Sequence, residues 1–273
     1  MNDANAAKPA HAPSTIGVFD SGFGGLTVLR ALIERLPDAR FAFLGDTARL
    51  PYGSKSQRTI SRYAAESAQF LVREQGAEFL VIACNTASAL ALDAIQDAVS
   101  VPVLGVIEPG ADAARAASQT GDVLVIATEA TVHSHAYSAA CQARGLRALE
   151  KACPLLVPLV EEGWTDNDIA ERTVTHYLES LKASGIDTLL LGCTHYPLLR
   201  GMFERVMGPR VKMVDSAIAT AGAVAEKLKE LKLARRDGGG AQSFFVTETP
   251  ERFVRVGRRF IGPRVESAVR IER

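Results

Sequence analysis

One stretch occurs twice in this chain and limits what it can fold into. It reads Phe79-Leu-Val-Ile-Ala-Cys84-Asn85-Thr86-Ala-Ser88 the first time and Leu189-Leu-Leu-Gly-Cys193-Thr194-His195-Tyr-Pro197 the second. Each is an apolar run that ends in a cysteine, followed by small hydrogen-bonding residues and then a helical pattern. A short run without a polar face fits a strand buried in a parallel sheet. The polar residues after it fit the cap of the next helix. Both cysteines are therefore expected at the C-terminal end of a strand and the start of a helix. Ligands bind at that edge of open α/β sheets, and a helix N-terminus favours a thiolate.

The rest of the chain alternates in the same way. Ile16–Phe19, Phe41–Leu44, Val103–Ile107, Asp122–Ile126, Val211–Val214 and Phe244–Thr247 read as strands. Leu26, Leu29, Ile33 and Leu36 recur at helical spacing until Pro37 stops them. Further helices are expected from about Ser56 to Glu74, after Cys84 to Val99, through His133, His135 and Tyr137, from a cap at Asp166 to Lys182, from Asp215 to Leu233, and from a Thr249-Pro250 start to Phe260. Leu155–Val160 is apolar but broken by Pro154 and Pro158, so it reads as a weak or irregular strand. Alternation of this kind predicts an α/β fold with mostly parallel sheets covered by helices. The spacing repeats as well. Asp20 and Cys84 are 64 positions apart, Thr128 and Cys193 are 65, and each interval joins a polar strand end to a strand-end cysteine. Two similar halves facing each other are expected.

Length and charge remove several function classes. At 273 residues the chain has room for two ordinary domains. Thirty-one basic and 31 acidic residues give no net charge, so the field that a nucleic-acid binder carries is missing. No apolar run reaches membrane-spanning length. Residues 1–14 lack the basic and apolar regions of a secretory signal and are expected to form a flexible tail. Four scattered cysteines do not make a disulfide framework, which points to free thiols in a reducing cytoplasm.

Each motif has a plain structural reading beside the chemical one. A cysteine ending a buried strand is usually a small apolar core residue; two in matched positions, each with a threonine within two residues, argue otherwise. Cys141 and Cys153 lack that setting. The turn Asp20-Ser21-Gly22-Phe-Gly24-Gly25 has Thr27 at the third glycine position of the dinucleotide fingerprint, so no nucleotide cofactor is expected. Asp20 reads as a cap or as a carboxylate assisting a neighbouring acid or base. Cys193-x-His195 and His133-x-His135 are the close ligand pairs, and no metal site is expected from them.

Taken together these residues resemble glutamate racemase, the cofactor-independent family that makes D-glutamate for the bacterial cell wall. The anchors are Gly17-Val-Phe-Asp20-Ser21-Gly22-Phe-Gly24-Gly25-Leu, Gly45-Asp46-Thr47 with Pro51-Tyr52-Gly53, Ala83-Cys84-Asn85-Thr86-Ala-Ser88, and Gly192-Cys193-Thr194-His195-Tyr-Pro197. The resemblance implies two α/β domains, residues 15–108 with 214–265 and residues 109–213, a tail over 266–273, and an active site between the domains. It implies catalytic thiols at Cys84 and Cys193, acting on the D- and L-isomer respectively. Asp20, His195 and Glu161 (Glu162 is adjacent) would assist. Contacts to a glutamate substrate would fall on Asp20, Ser21, Tyr52, Gly53, Asn85, Thr86, Thr131, Thr194 and His195. A homodimer without metal or cofactor is expected. Aspartate racemase of the same superfamily, a cysteine-dependent amidohydrolase and a non-catalytic amino-acid-binding module are the competing readings.

Overall fold

The computed structural model describes residues 14–233 and 239–272. The tail expected over residues 1–14 lies outside the described residues except for Ser14, and most of the expected turn at 235–240 does too.

The first half of the chain builds strands β1 (Thr15–Asp20), β2 (Arg40–Gly45), β3 (Ala77–Ile82) and β4 (Val103–Gly105). Between them run helices α1 (Leu26–Arg35), α2 (Gln57–Arg73), α3 (Asn85–Leu90) and α4 (Leu92–Ala98). β1 and β3 are mostly apolar and buried on both faces, as helix-covered parallel strands must be. α2 starts where a serine can satisfy its open amides: Ser56 accepts from Thr59 N. The second half begins with α5 (Ile107–Ala117) and continues through β5 (Asp122–Ala127), α6 (Glu129–Ser134), α7 (Ala136–Gln142), β6 (Arg147–Ala152), α8 (Leu156–Glu162), α9 (Asp168–Leu178), β7 (Thr188–Gly192), α10 (Arg200–Met207) and β8 (Lys212–Asp215). α11 (Ser216–Glu230) then leads back to the first sheet, which β9 (Gln242–Val246), α12 (Pro250–Ile261) and β10 (Val269–Arg270) complete.

Both sheets are parallel at every pairing. The first has the order β10-β9-β2-β1-β3-β4 and the second β6-β5-β7-β8. In each, the first strand of the half lies between its second and third, with the fourth beside the third. The repeat in residue spacing thus corresponds to a repeat in strand order. β1 pairs with β3 and β5 with β7 in nearly the same way, Phe19 opposite Ile82 and Ala127 opposite Gly192. Each cysteine therefore emerges beside a polar residue ending the neighbouring strand.

Several local expectations change. Leu155–Val160 lies in helix α8 and its lead-in, not in a strand. Pro158 sits in the first turn, where a missing N–H costs nothing, and Leu156 and Val160 face the core four residues apart. β6 was not foreseen, since this edge strand is half exposed and carries Arg147, Glu150 and Lys151. The helix through His133 and Tyr137 is two helices, broken at His135 in the left-handed region (φ 55°). Asn167, not Asp166, caps α9, accepting from Ala170 N at 2.9 Å, and Asp166 pairs with Arg205 instead. Residues 266–273 were expected as a tail, yet Val269–Arg270 pairs with β9.

The halves are tied together. One apolar cluster runs from Val18, Phe43 and Val81 in the first sheet to Leu124, Ile126 and Leu191 in the second. α11 packs on both α1 and α5. Among the described residues no helix is long and apolar enough to cross a membrane.

Candidate active site

Asp20 and the two cysteines stand at C-terminal strand ends, and helices and loops bring the other residues to the same edge. Asp20 ends β1 and is buried. Its Oδ2 accepts from Gly22 N at 2.9 Å. Burial raises its pKa, and the charge of His195 and the amides of Gly22 and Gly25 offset part of that. The turn that follows needs glycine at residue 24. A Cβ there would run into Thr194 Oγ1 and lie 2.5 Å from His195 Nδ1. The bare backbone lets the first half's turn rest against the second half's, where Thr27 Oγ1 donates to Thr194 O at 2.9 Å.

Cys84 follows β3 and caps α3, its Sγ accepting from Ala87 N at 3.4 Å and donating to Ser21 Oγ at 3.3 Å. The expectation that a helix start would favour the thiolate fails here. α3 has only six residues, and burial outweighs its pull. Burial, helped by the charge of Asp20, pushes the Cys84 pKa up to about 12 against the opposing Ser21 and Ala87 hydrogen bonds. Cys193 follows β7. Unlike Cys84, it does not open an α-helix, since a single 3-10 turn over Tyr196–Leu199 separates it from α10.

What Cys193 has instead is a histidine. Its Sγ lies 3.9 Å from His195 Nδ1, and His195 Nε2 lies 3.2 Å from Glu161 Oε1. Burial alone would lower the His195 pKa. The hydrogen bonds and charges of Cys193 and Glu161 outweigh it and bring the pKa to about 10. Glu161 comes from α8. Glu162 is exposed and does not line the cavity.

Between the strand ends lies a cavity of about 190 Å³. It is smaller than the roughly 300–1,000 Å³ of drug-sized pockets, which suits a small metabolite. Cys84 and Cys193, each 5% exposed, both line it, with Ser21, Tyr52, Gly53, Asn85, Thr86, Glu161, Thr194 and His195. Of the residues expected from the sequence, Asp20 and Thr131 stand behind the wall. Thr131 acts through its neighbours, its Oγ1 lying 3.1 Å from Thr86 Oγ1 and 2.9 Å from Thr128 Oγ1, with Thr86 and Thr128 2.9 Å apart.

Sequence reasoning left out three groups. Thr128 and Glu129 line the cavity, and the signal for Thr128 was its place opposite Asp20 in the repeat. Asp46 lies outside the cavity and holds Tyr52 in the wall. It is fully buried and accepts from Tyr52 Oη at 2.5 Å, Thr247 Oγ1 at 2.9 Å and Arg49 Nε at 2.7 Å. Burial, then the Asp46 charge, keeps Tyr52 neutral well above its usual range. Tyr137 reaches over from α7 and donates to Asn85 Oδ1 at 2.6 Å. Among the described residues no lysine or arginine lines the cavity; its ionisable oxygen and nitrogen groups are Glu129, Glu161, His195 and Tyr52. Among the described residues no group of three His, Cys, Asp or Glu side chains is arranged to hold a metal ion.

Residues 16–224 match the family described as Asp/Glu/Hydantoin racemase. The chain belongs to that family. A glutamate racemase of Geobacter metallireducens is 51% identical over 250 residues, covering 90% of this chain and 92% of the relative. Among solved racemase structures of the family, glutamate racemase from Thermus thermophilus in complex with β-chloro-D-alanine superposes with a TM-score of 0.87 at 46% identity, covering 95% of this chain and 97% of that one. Glutamate racemase from Francisella tularensis in complex with D-glutamate superposes at 0.84 with 36% identity, covering 91% and 93%. The resemblance read from the strand-end motifs therefore holds over nearly the whole length of this racemase-family chain.

Proposed function

We propose that this chain interconverts L- and D-glutamate by moving the α-proton between two thiols. The observation that carries this reading is that Cys84 and Cys193 reach one small cavity from matching strand ends of two sheets. Racemisation takes a proton from one face of a carbon and returns one to the other. Two fixed groups can do this without either moving past the substrate.

In the L-to-D direction the Cys193 thiolate takes the α-proton and the Cys84 thiol gives its proton to the opposite face. Cys84 is left as thiolate, and the reverse reaction restores it. His195, at 3.9 Å from Cys193 Sγ, serves that sulfur with charge or a proton. Glu161 holds His195 from behind, and Asp20 acts on the Cys84 side. A positioned acid or base contributes about 10²- to 10⁴-fold. The balance is assigned to stabilisation of the carbanion by fixed dipoles in the cavity. Neutral donors at Ser21, Gly53, Asn85, Thr86 and Thr194 hold the two substrate carboxylates, with Tyr52 at the wall and Thr131 supporting Thr86. The D-glutamate formed supplies peptidoglycan in the cytoplasm. The catalytic unit comprises residues 15–108 with 214–265 and residues 109–213, and the chain works as a homodimer.

The test is exchange of the α-hydrogen in deuterated water with each glutamate isomer, for wild type, Cys84→Ala and Cys193→Ala. Wild type should exchange both isomers, and each variant should lose racemisation. Full racemisation by either variant would sink the two-thiol reading. An amidohydrolase needs a single nucleophile, a binding module would exchange nothing, and an aspartate racemase would prefer the shorter substrate, so the same assay run with aspartate beside glutamate separates these readings.

A further inference from the structure

We propose that Arg252 is a positioning residue that holds the Glu161 carboxylate against His195 from behind the cavity wall, an assignment that rests on the racemase reading above. The geometry is a clasp. Arg252 and Arg259 lie seven residues, about two turns, apart on α12, and so share a face. Arg252 Nη2 donates to Glu161 Oε2 at 3.3 Å, and Arg259 Nη1 donates to the Glu161 carbonyl. The other carboxylate oxygen, Oε1, is the one that meets His195 Nε2 at 3.2 Å. One helix thus grips both the main chain and the side chain of a single residue, and leaves one oxygen for the histidine.

The surroundings fit this reading. Gly163, in the left-handed region (φ 79°), ends α8, and a Cβ there would lie 3.1 Å from Arg259 Cζ. The Arg252 guanidinium also lies 5.3 Å from the centre of the Phe23 ring. Phe23 lines the cavity from the turn after Asp20. α12 packs on α1 beside the first sheet, whereas Glu161 and His195 belong to the second half. The clasp therefore sets a group of one half from the frame of the other. Neither arginine lines the cavity, so neither is placed to touch a ligand. The Arg252 side chain is 42% exposed, and an ion pair that open adds little to stability. Its effect is on orientation: a carboxylate free to rotate meets His195 only part of the time.

The test combines kinetics with a histidine titration. Arg252→Ala should lower kcat about tenfold and leave KM within about twofold, the pattern of a group acting through another. In a Glu161→Gln background the same change should cost about twofold or less, because the group it acts through is already altered. Arg252→Lys, which keeps a cationic donor, should restore most of the activity. NMR titration of His195 should move downward in Arg252→Ala, because losing an ordered carboxylate at 3.2 Å outweighs losing a half-exposed charge farther off. The proposal falls if kcat and the titration are both unchanged, if the titration moves upward, or if the effects of Arg252→Ala and Glu161→Gln multiply. Should wild type fail to exchange the α-hydrogen of glutamate, the racemase reading falls and the His195 titration alone decides the clasp.

Discussion

Cys84 and Cys193 occupy the same place on their strands and meet different neighbours. Cys84 faces a serine hydroxyl and an amide beside a buried carboxylate, and Cys193 faces a histidine backed by a glutamate. The difference has a measurable side. The thiolate is the form that alkylates, and the Cys84 pKa lies near 12. Its thiolate fraction is therefore small at neutral pH and grows with pH up to that value. Alkylation of Cys84 by iodoacetamide, followed by mass spectrometry of the ligand-free protein, should rise about tenfold per pH unit from pH 7 to about 11. A plateau near pH 9 would mean that burial does not govern this thiol. The cysteines, Asp20 and His195 were legible in the sequence because each directly follows or closely trails a recognisable strand. The threonine ring was only half legible. Thr86 and Thr131 came from the resemblance, whereas the Thr86–Thr128 contact joins residues 42 apart at helix starts that follow strands of different sheets, and local pattern carries no trace of it.

At the scale of elements, the loop from Asp46 to Ser54 depends on a carboxylate that never reaches the cavity. Asp46→Ala would leave Arg49, whose side chain is 15% exposed, with Glu66 as its remaining acidic partner, and would strip the buried Tyr52 and Thr247 hydroxyls of their acceptor. Leaving buried donors without their acceptor typically costs about 1–3 kcal/mol, and more where a donor is charged. Urea unfolding should show a loss of that size, with Tyr52→Phe costing about 1 kcal/mol. The turn after β1 is equally constrained. Gly24→Ala forces a methyl group into Thr194 and His195, and overpacking of that kind costs about 1–3 kcal/mol. Its melting temperature should fall, and activity should fall further than stability, since the group displaced is His195. The sequence made α1, α2 and the buried strands plain because their periods are long and regular. It misjudged α8 for a physical reason: seven residues with a proline among β-branched neighbours carry a strand-like composition, and only the core beneath Leu156 and Val160 selects the helix.

On the scale of the whole molecule, the two sheets share one apolar cluster and one bridging helix. They should therefore unfold together. The chain has a single tryptophan, Trp164, in the second half, whereas far-UV circular dichroism reports on both halves. The fluorescence and dichroism transitions in urea should coincide, and separate midpoints would mean that the halves melt independently. The strand-order repeat was foreshadowed by intervals of 64 and 65 residues, but the contacts that close one half on the other lie between residues too distant for any pattern to register. Among the described residues the cavity wall that results has two acids and one histidine, and no lysine or arginine. A ligand with two carboxylates and one ammonium carries net charge −1, and it approaches a chain of zero net charge and a wall where the cationic His195 offsets one of the two acids, so long-range steering adds little. Electrolyte should therefore matter less here than it does for a steered enzyme. Raising the ionic strength from about 10 to 150 mM shortens the reach of exposed charges from about 30 to about 8 Å, and kcat/KM for glutamate should stay within about twofold; a steep fall would mean that long-range attraction brings the ligand in.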